Sequence, residues 1–343
     1  MNNPVWDWII RCQLSAYGVN QRLKGPSPFN AGPGWCFRRF GQSSTPLPDE
    51  RIVMIGGEHE DAYDPDFYIY NDVVVRHPDG RLDIFGYPKD VFPPTDFHSA
   101  TLVGSGIVII GCLGYPEQRK TGTTPVFSLD LNSFAISPVA TSGSAPGWIY
   151  ELTGVLSDDG ASILVRGRKL DRGAKDGSLV ENLDDWRLHL ATGCWERLSE
   201  RRWQRWEVRR RDRKLNHLWQ VRQALWMEKM GAVEQFKEQF GTLTEGLAIP
   251  SLEEELGVRP DFDVLARLYR PDAAHEEAPK LEGENGVYRI RVGGVVVRYV
   301  EDMHCIQMTV EGELPQTTID ALASDLRSKM SALENTPCEL RQL

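Results

Sequence analysis

The sequence predicts a mainly β chain built from stacked four-stranded antiparallel sheets, with a long helical insertion and a small C-terminal α+β unit. Three observations lead there. Residues 96–115, DFHSATLVGSGIVIIGCLGY, read as strand, tight turn, strand, with 99–103 and 107–110 joined by Gly104-Ser105-Gly106. The strand-ending glycines Gly56, Gly111 and Gly167 recur 55 and 56 residues apart, a fixed period of the kind that stacked repeats produce. Pro33-Gly34-Trp35 returns as Pro146-Gly147-Trp148, each time directly before the first strand of its unit.

Each unit continues past its glycine. FYIYNDVVV with GRLDIFGY, TPVFSLDL with SFAISPV, and DDWRLHLATGCWERL supply a third and a fourth strand joined by a short turn. Four antiparallel strands per unit are the arrangement of a propeller blade. Residues 35–199 hold three such units, the third the most degenerate.

The stretches FHSATLVGSGIVIIG, MIGG and YNDVVV resemble the kelch repeat, which combines an opening strand of polar and small residues, a glycine pair and a later aromatic. The resemblance covers about residues 35–199, and the whole sequence is similar to uncharacterised bacterial proteins with kelch-type repeats, a likeness that supplies no activity. The second glycine of the pair is kept as Gly57 and becomes Cys112 and Arg168 in the later units. These glycines are read as structural: a blade narrows toward its axis, where a residue without Cβ lets backbones approach and takes positive φ. Propellers have about four to eight blades, so a stack of three leaves strand edges to be covered. Either segment 1–34, read as a helix plus a ring-closing strand, or C-terminal strands complete a monomeric ring, or two chains pair as a homodimer.

Residues 200–280 read as helical insertion and linker. Between 199 and 240 there is no proline and a single glycine, Gly231, which predicts one long helix with Leu215, Trp219, Trp226, Met230 and Val233 near one stripe, ended by Gly241. Its start, RRWQRWEVRRRDRK over 201–214, carries eight basic and two acidic side chains in a protein of net charge -10. Arg201, Arg202, Arg205, Arg209, Arg210, Arg211, Arg213 and Lys214 could face an anionic partner, with Trp203 and Trp206 available to stack. The alternative is that the arginines clothe the helix and pair with acids while the tryptophans pack inward. Ser251 and Glu254 have capping-box spacing, DFDVLARLYRP predicts a short helix ended by Pro271, and 271–285 is an acidic linker. In 281–343, VYRIRV and VVVRY flank Gly293-Gly294 as a hairpin and MHCIQMTV alternates as a third strand. A helix follows from about Pro315, with Ile319, Leu322, Leu326, Met330 and Leu333 on one face, and CELRQL returns as an edge strand.

Composition narrows the function classes. With 39 Lys plus Arg against 49 Asp plus Glu, wholesale binding to nucleic acid or an anionic membrane is disfavoured. Cys12, Cys36, Cys112, Cys194, Cys305 and Cys338 show no metal-type spacing and read as reduced thiols. The N-terminal run is broken by Asp7 and Arg11, unlike a secretory signal, and no segment has the length of a membrane span, which predicts a cytoplasmic protein. His98 in an opening strand is the channel candidate, either a structural hydrogen bond or a proton-transfer group. The acidic residues Glu58, Glu60, Asp61, Asp64 and Asp66 around His59 lack EF-hand spacing. No GxSxG, P-loop or HExxH motif is present, and no catalytic, cofactor or metal residue is assigned. Some kelch-type propellers are enzymes, among them a copper radical oxidase and sugar mutarotases, but the copper enzyme's tyrosine, histidine and cysteine set has no counterpart positions here. The leading expectation is a non-enzymatic scaffold that holds a protein partner through propeller loops and the long helix. The alternatives are an enzyme or binding protein for a small carbohydrate or metabolite, and nucleic-acid binding through 201–214.

Overall fold

The computed structural model describes residues 3–25, 35–59, 67–171, 173, 179–229, 231, 265–279 and 286–343. It is mainly β, with several antiparallel sheets, and divides into two compact units, Met1–Arg201 and Arg202–Leu343.

The first unit begins with two short helices, α1 (Pro4–Cys12) and α2 (Ala16–Arg22). Asn3 starts α1 by accepting Val5 N–H at 3.0 Å, proline takes the first turn where no amide proton is needed, and Gln13 ends it at φ 52°. Ser15 caps α2 through Gly18 N–H. Three antiparallel sheets follow, each a simple meander. The first comprises β1 (Ser43–Pro46), β2 (Ile52–Ile55), β5 (Asp72–Arg76) and β6 (Leu82–Gly86), with a small hairpin of β3 (Glu58–His59) and β4 (Tyr68–Ile69) set between its two halves. The second comprises β7 (Ser99–Val103), β8 (Gly106–Ile110), β9 (Val126–Asp130) and β10 (Ile136–Pro138). In the third, β11 (Ser142–Gly143) pairs in parallel with the outer strand of the meander β12 (Trp148–Leu156), β13 (Ser162–Asp171), β15 (Asp185–His189), β16 (Cys194–Arg197), while β14 (Leu179–Glu181) pairs with β13.

Strand periodicity explains the stacking. In β5, Val73 and Val75 point to one face and Val74 to the other, and all three are buried. Val73 and Val75 join Val53 and Ile55 against Ile107, Ile109 and Leu129 of the second sheet. Val74 and Ile84 meet Ile9, Ile10, Ala16 and Val19 of the helices. On its other face the second sheet puts Val108, Ile110 and Val126 against Ile149, Ile163, Val165, Trp186 and Leu188 of the third. The far face of the third sheet is polar: Arg166 pairs with Asp185 at 3.5 Å, Arg187 with Glu196 at 3.0 Å, and Val155 there is 59% exposed. Helices cover one outer face of the stack and charged side chains line the other. The expected ring-closing strand in 1–34 is not present among the described residues of that segment, whose regular elements are the two helices.

The glycine period has a physical basis in two of its three positions. Gly56 (φ 56°) and Gly111 (φ 72°) lie in the left-handed region, and a Cβ on either would strike the main chain of the following sheet, at Thr95 O and Ile149 O respectively. The next residues donate to those same carbonyls, Gly57 N to Thr95 O at 2.8 Å and Cys112 N to Ile149 O at 3.0 Å. Gly167 departs from the expectation. It lies inside β13 opposite Leu152, outside the left-handed region, because β13 runs on through Asp171 as a long ribbon with β12 instead of bending at the glycine. A second repeated feature has no residue signature: Gly41, Phe97 and Glu151 all have left-handed φ (61°, 48° and 51°), with Phe97 N donating to Gly41 O and Glu151 N to Phe97 O, each at 2.8 Å.

The second unit is a six-stranded sheet. Its strands are β17 (Gln204–Arg210), β18 (Glu276–Glu277), β19 (Val287–Val292), β20 (Val295–Glu301), β21 (Cys305–Val310) and β22 (Cys338–Gln342), in the order β18-β19-β20-β21-β17-β22. Among the described residues it also holds helices α3 (His217–Lys229) and α4 (Gln316–Leu333). Gly293 and Gly294, both at positive φ, make the predicted hairpin turn between β19 and β20, and β22 takes the expected edge. From α4, Ile319, Leu322, Leu326 and Met330 pack with Leu218, Val221 and Leu225 of α3 and with Val208, Val297, Tyr299, Ile306 and Met308 of the sheet.

The predicted long helix over 199–240 is corrected here, since 204–210 is a strand between β21 and β22. Absence of proline and glycine permits either state, and the deciding pattern is alternation. Trp206 and Val208 turn to the core, whereas Arg205, Glu207 and Arg209 turn to the opposite face. Helix begins only at His217, where the buried Glu334 carboxylate accepts His217 N–H (2.7 Å) and Leu218 N–H (2.9 Å). Its buried stripe is Leu218, Val221 and Leu225, not the one through half-buried Leu215 and Trp219. Leu268 and Tyr269 enter the same core from a 3-10 turn, Arg267–Tyr269, where the short helix is expected. Met230, Val233, Gly241, Ser251 and Glu254 lie outside the described residues. Because β17 and β18 belong to the sheet of the C-terminal hairpin, the expected boundary near 280 falls inside one unit.

Candidate functional site

The two ends of the three-sheet stack differ. Short turns at 47–51, 77–81, 104–105, 131–135, 157–161 and 190–193 lie at one end. The longer connections, from β2 to β5, from β8 to β9 and from β13 to β15, lie at the other, together with the starts of the opening strands β1, β7 and β12. That second end holds a dense polar core beneath an aromatic rim.

Arg39 anchors it. Its buried guanidinium grips Asp72 through two bonds (2.5 and 2.9 Å), donates to Gly56 O at 3.0 Å and lies 3.4 Å from the Tyr70 ring centroid. Tyr70 Oη accepts Cys36 N–H at 3.0 Å and sits 2.8 Å from His59 Nδ1, and burial pushes its hydroxyl well above the ordinary tyrosine range, so it keeps its proton. Asp96 is fully buried: Oδ1 accepts Gly114 N–H at 2.7 Å, its main-chain carbonyl accepts Leu113 N–H at 3.1 Å, and its side chain meets that of buried Glu58. Burial raises the Asp96 carboxyl above the usual carboxylate range. Arg119 is held by Leu113 O (3.1 Å), Gly114 O (3.2 Å) and Asp171 (3.3 Å). Burial pushes the Cys112 thiol up to about 12, which leaves it protonated and unreactive. Around this core, Trp35 lies 5.5 Å from Tyr68 and 4.6 Å, edge-on, from Trp6, while Phe67 meets Tyr115 edge-on at 5.8 Å. Trp35 and Phe67 are 38% and 41% exposed.

The residues singled out by sequence fall in several places. His98 sits at the start of β7 with Nε2 2.8 Å from Ser43 Oγ, a bond between the opening strands of neighbouring sheets. Burial lowers its pKa to about 4, so it is neutral at physiological pH. Arg201 pairs with Asp185 and belongs to the first unit. Arg209 pairs with Glu207 (3.3 Å) and Glu339 (3.6 Å), Arg210 with Asp212 (2.7 Å) and Glu334 (2.8 Å), and Arg213 with Glu339 (2.7 Å). Arg205 is buried, Trp203 and Trp206 are half-buried, and Arg202, Arg211 and Lys214 are exposed. The basic stretch is therefore not a continuous helical face. Glu60, Asp61, Asp64 and Asp66 lie outside the described residues. Among the described residues no cluster of three or more His, Cys, Asp or Glu is placed to hold a metal ion, and all six cysteines are free thiols. No helix among those residues is long and apolar enough to cross a membrane.

Arg39, Tyr70, Asp96 and Arg119 were not legible as a group. They stand in four separate stretches, and the nearest signal was the placement of Asp96 just before an opening strand.

No family model matches the chain, and no curated protein matches it. Among solved structures, one described as "Structure of YjhT" aligns with a TM-score of 0.37 and 13% identity over 47% of this chain and 55% of that one. This chain thus spans about half the length of that neighbour, and a likeness at this level carries no functional content.

Proposed function

We propose that the three sheets are kelch-like propeller blades and that the chain is a non-enzymatic scaffold, whose end bearing the long connections holds a protein partner. The observation that carries this is the asymmetry of the stack. Every short turn is at one end, while the longer connections and the exposed Trp35 and Phe67 gather at the other, on a backbone braced by Arg39–Asp72 and Arg119–Asp171. Rigid elements carrying elaborated loops at one end are the usual arrangement for recognition, and aromatic side chains contribute most to such contacts. Free thiols agree with a cytoplasmic setting. The long helix is withdrawn from this reading.

The test is affinity capture with the full chain, with Trp35→Ala/Phe67→Ala, and with Arg81→Ala in a turn of the opposite end. A partner retained by the wild type and Arg81→Ala but lost by the aromatic pair supports the scaffold. Equal retention by all three chains overturns the placement. A second reading, a small carbohydrate bound at the same end, is favoured by aromatic rings beside buried acids, and a sugar-dependent rise in melting temperature that Trp35→Ala abolishes would select it. Nucleic-acid binding through 201–214 has less support, because Arg209, Arg210 and Arg213 are already neutralised by acids of the same unit.

A further inference from the structure

We propose that Glu58 and Asp96 form a clasp closed by one shared proton, which ties the β3–β4 hairpin to the connection between β8 and β9 and opens when the proton leaves. Both carboxyl groups are buried and their side chains are in contact. Neither can retreat: Glu58 exchanges two main-chain bonds with Phe40 (2.8 and 2.9 Å), and Asp96 is fixed by Leu113 N–H and Gly114 N–H. Two ionised carboxylates in contact without water repel, whereas a carboxyl facing a carboxylate makes a charge-assisted hydrogen bond.

The surroundings favour the shared form. Asp96 Oδ1 is satisfied by Gly114, but Oδ2 is buried with no hydrogen-bond donor among the described residues, which is the place a proton shared with Glu58 fills. Among the described residues, Thr95, Cys112, Tyr115 and Arg119 face Asp96. Cys112 and Tyr115 stay neutral, both pushed up first by burial. Of these Arg119 is the cation, and its guanidinium already serves Asp171 and two carbonyls, so it attracts Asp96 from a distance without supplying the missing donor. Opening releases one proton to solvent. A carboxyl raised by folding contributes stability that is complete below its ordinary pKa and is lost as pH rises through the folded value.

The experiment follows amide exchange of Leu113, Gly114 and Ile69 in the full chain as pH is raised, corrected for intrinsic exchange, in the wild type, in Asp96→Asn and in Glu58→Gln. In the wild type, protection should fall about tenfold for each pH unit by which the clasped pKa exceeds that of the open state. Asp96→Asn supplies a permanent N–H donor toward Glu58 and keeps the Gly114 acceptor, so its protection should stay flat. A flat wild-type profile, or the same fall in Asp96→Asn, overturns the clasp. Infrared spectroscopy on the wild type decides the matter even where a variant fails to fold. The carbonyl band of a buried protonated carboxyl should be present at low pH and vanish as protection is lost, and its absence refutes the shared proton.

Discussion

Replacing Gly111 by alanine separates a glycine required by the stack from one that only shares its spacing. The residue sits at φ 72°, and an L side chain in that region costs about 1–2 kcal/mol. The new Cβ would lie 2.5 Å from Ile149 O and 2.7 Å from Leu152 Cδ2, inside the 3.0 Å limit that real Cβ contacts respect. Ile149 O cannot simply withdraw, because it accepts Cys112 N–H at 3.0 Å and its strand is packed into the core shared by the second and third sheets. Forcing the sheets apart adds an overpacking cost of about 1–3 kcal/mol. Gly111→Ala should therefore destabilise the first unit by about 2–5 kcal/mol. At Gly167 the nearest atom to a new Cβ is Asn182 Nδ2 at 3.4 Å, so Gly167→Ala should be neutral or stabilise by up to about 1 kcal/mol through lost chain entropy. Urea unfolding resolved by hydrogen exchange in β8 and β12 reads the first unit separately from the second. Equal effects of the two substitutions, or a change below about 0.5 kcal/mol for Gly111→Ala, would refute the steric account of the period.

Two further outcomes test the polar framework. Glu334→Gln removes the charge that faces buried Arg210 and one carboxylate oxygen from the start of α3, and should destabilise the second unit by about 3 kcal/mol, seen as lost amide protection at His217 and Leu218; unchanged protection would show that Asp212 alone holds Arg210. For His98, the folded pKa of about 4 lies below the unfolded 6.5, so the unfolded chain binds more protons between those values and stability is lost as pH falls through that window. The wild type should lose about 3 kcal/mol more than His98→Gln between pH 7 and pH 4, and matching urea midpoints for the two across that range would contradict it.

What was legible depended on whether the signal was local. The β7–β8 hairpin, the Gly293-Gly294 turn and the amphipathic stripe of α4 each follow from alternation, turn chemistry or helical spacing within a few residues, and each is present. The stretch 201–214 misled because its charge pattern is compatible with an exposed helix. Only pairing with β21 and β22, from about a hundred or more residues away, makes a strand of it and supplies Glu334 and Glu339 to its arginines. The polar end was illegible for the same reason. Arg39 reaches Asp72, Tyr70 reaches Cys36 and Glu58 meets Asp96, contacts that appear only after the sheets are stacked.

By itself the sequence determined the predominance of antiparallel strands and several of the turns, since these arise from φ preferences and from which side of a strand is apolar. Tertiary structure alone decided which glycines bear the crowding and which charges are neutralised. Those outcomes depend on the distance between segments remote in the chain, and burial at such contacts, more than residue type, sets whether a carboxyl or an imidazole is charged and whether a guanidinium is paired.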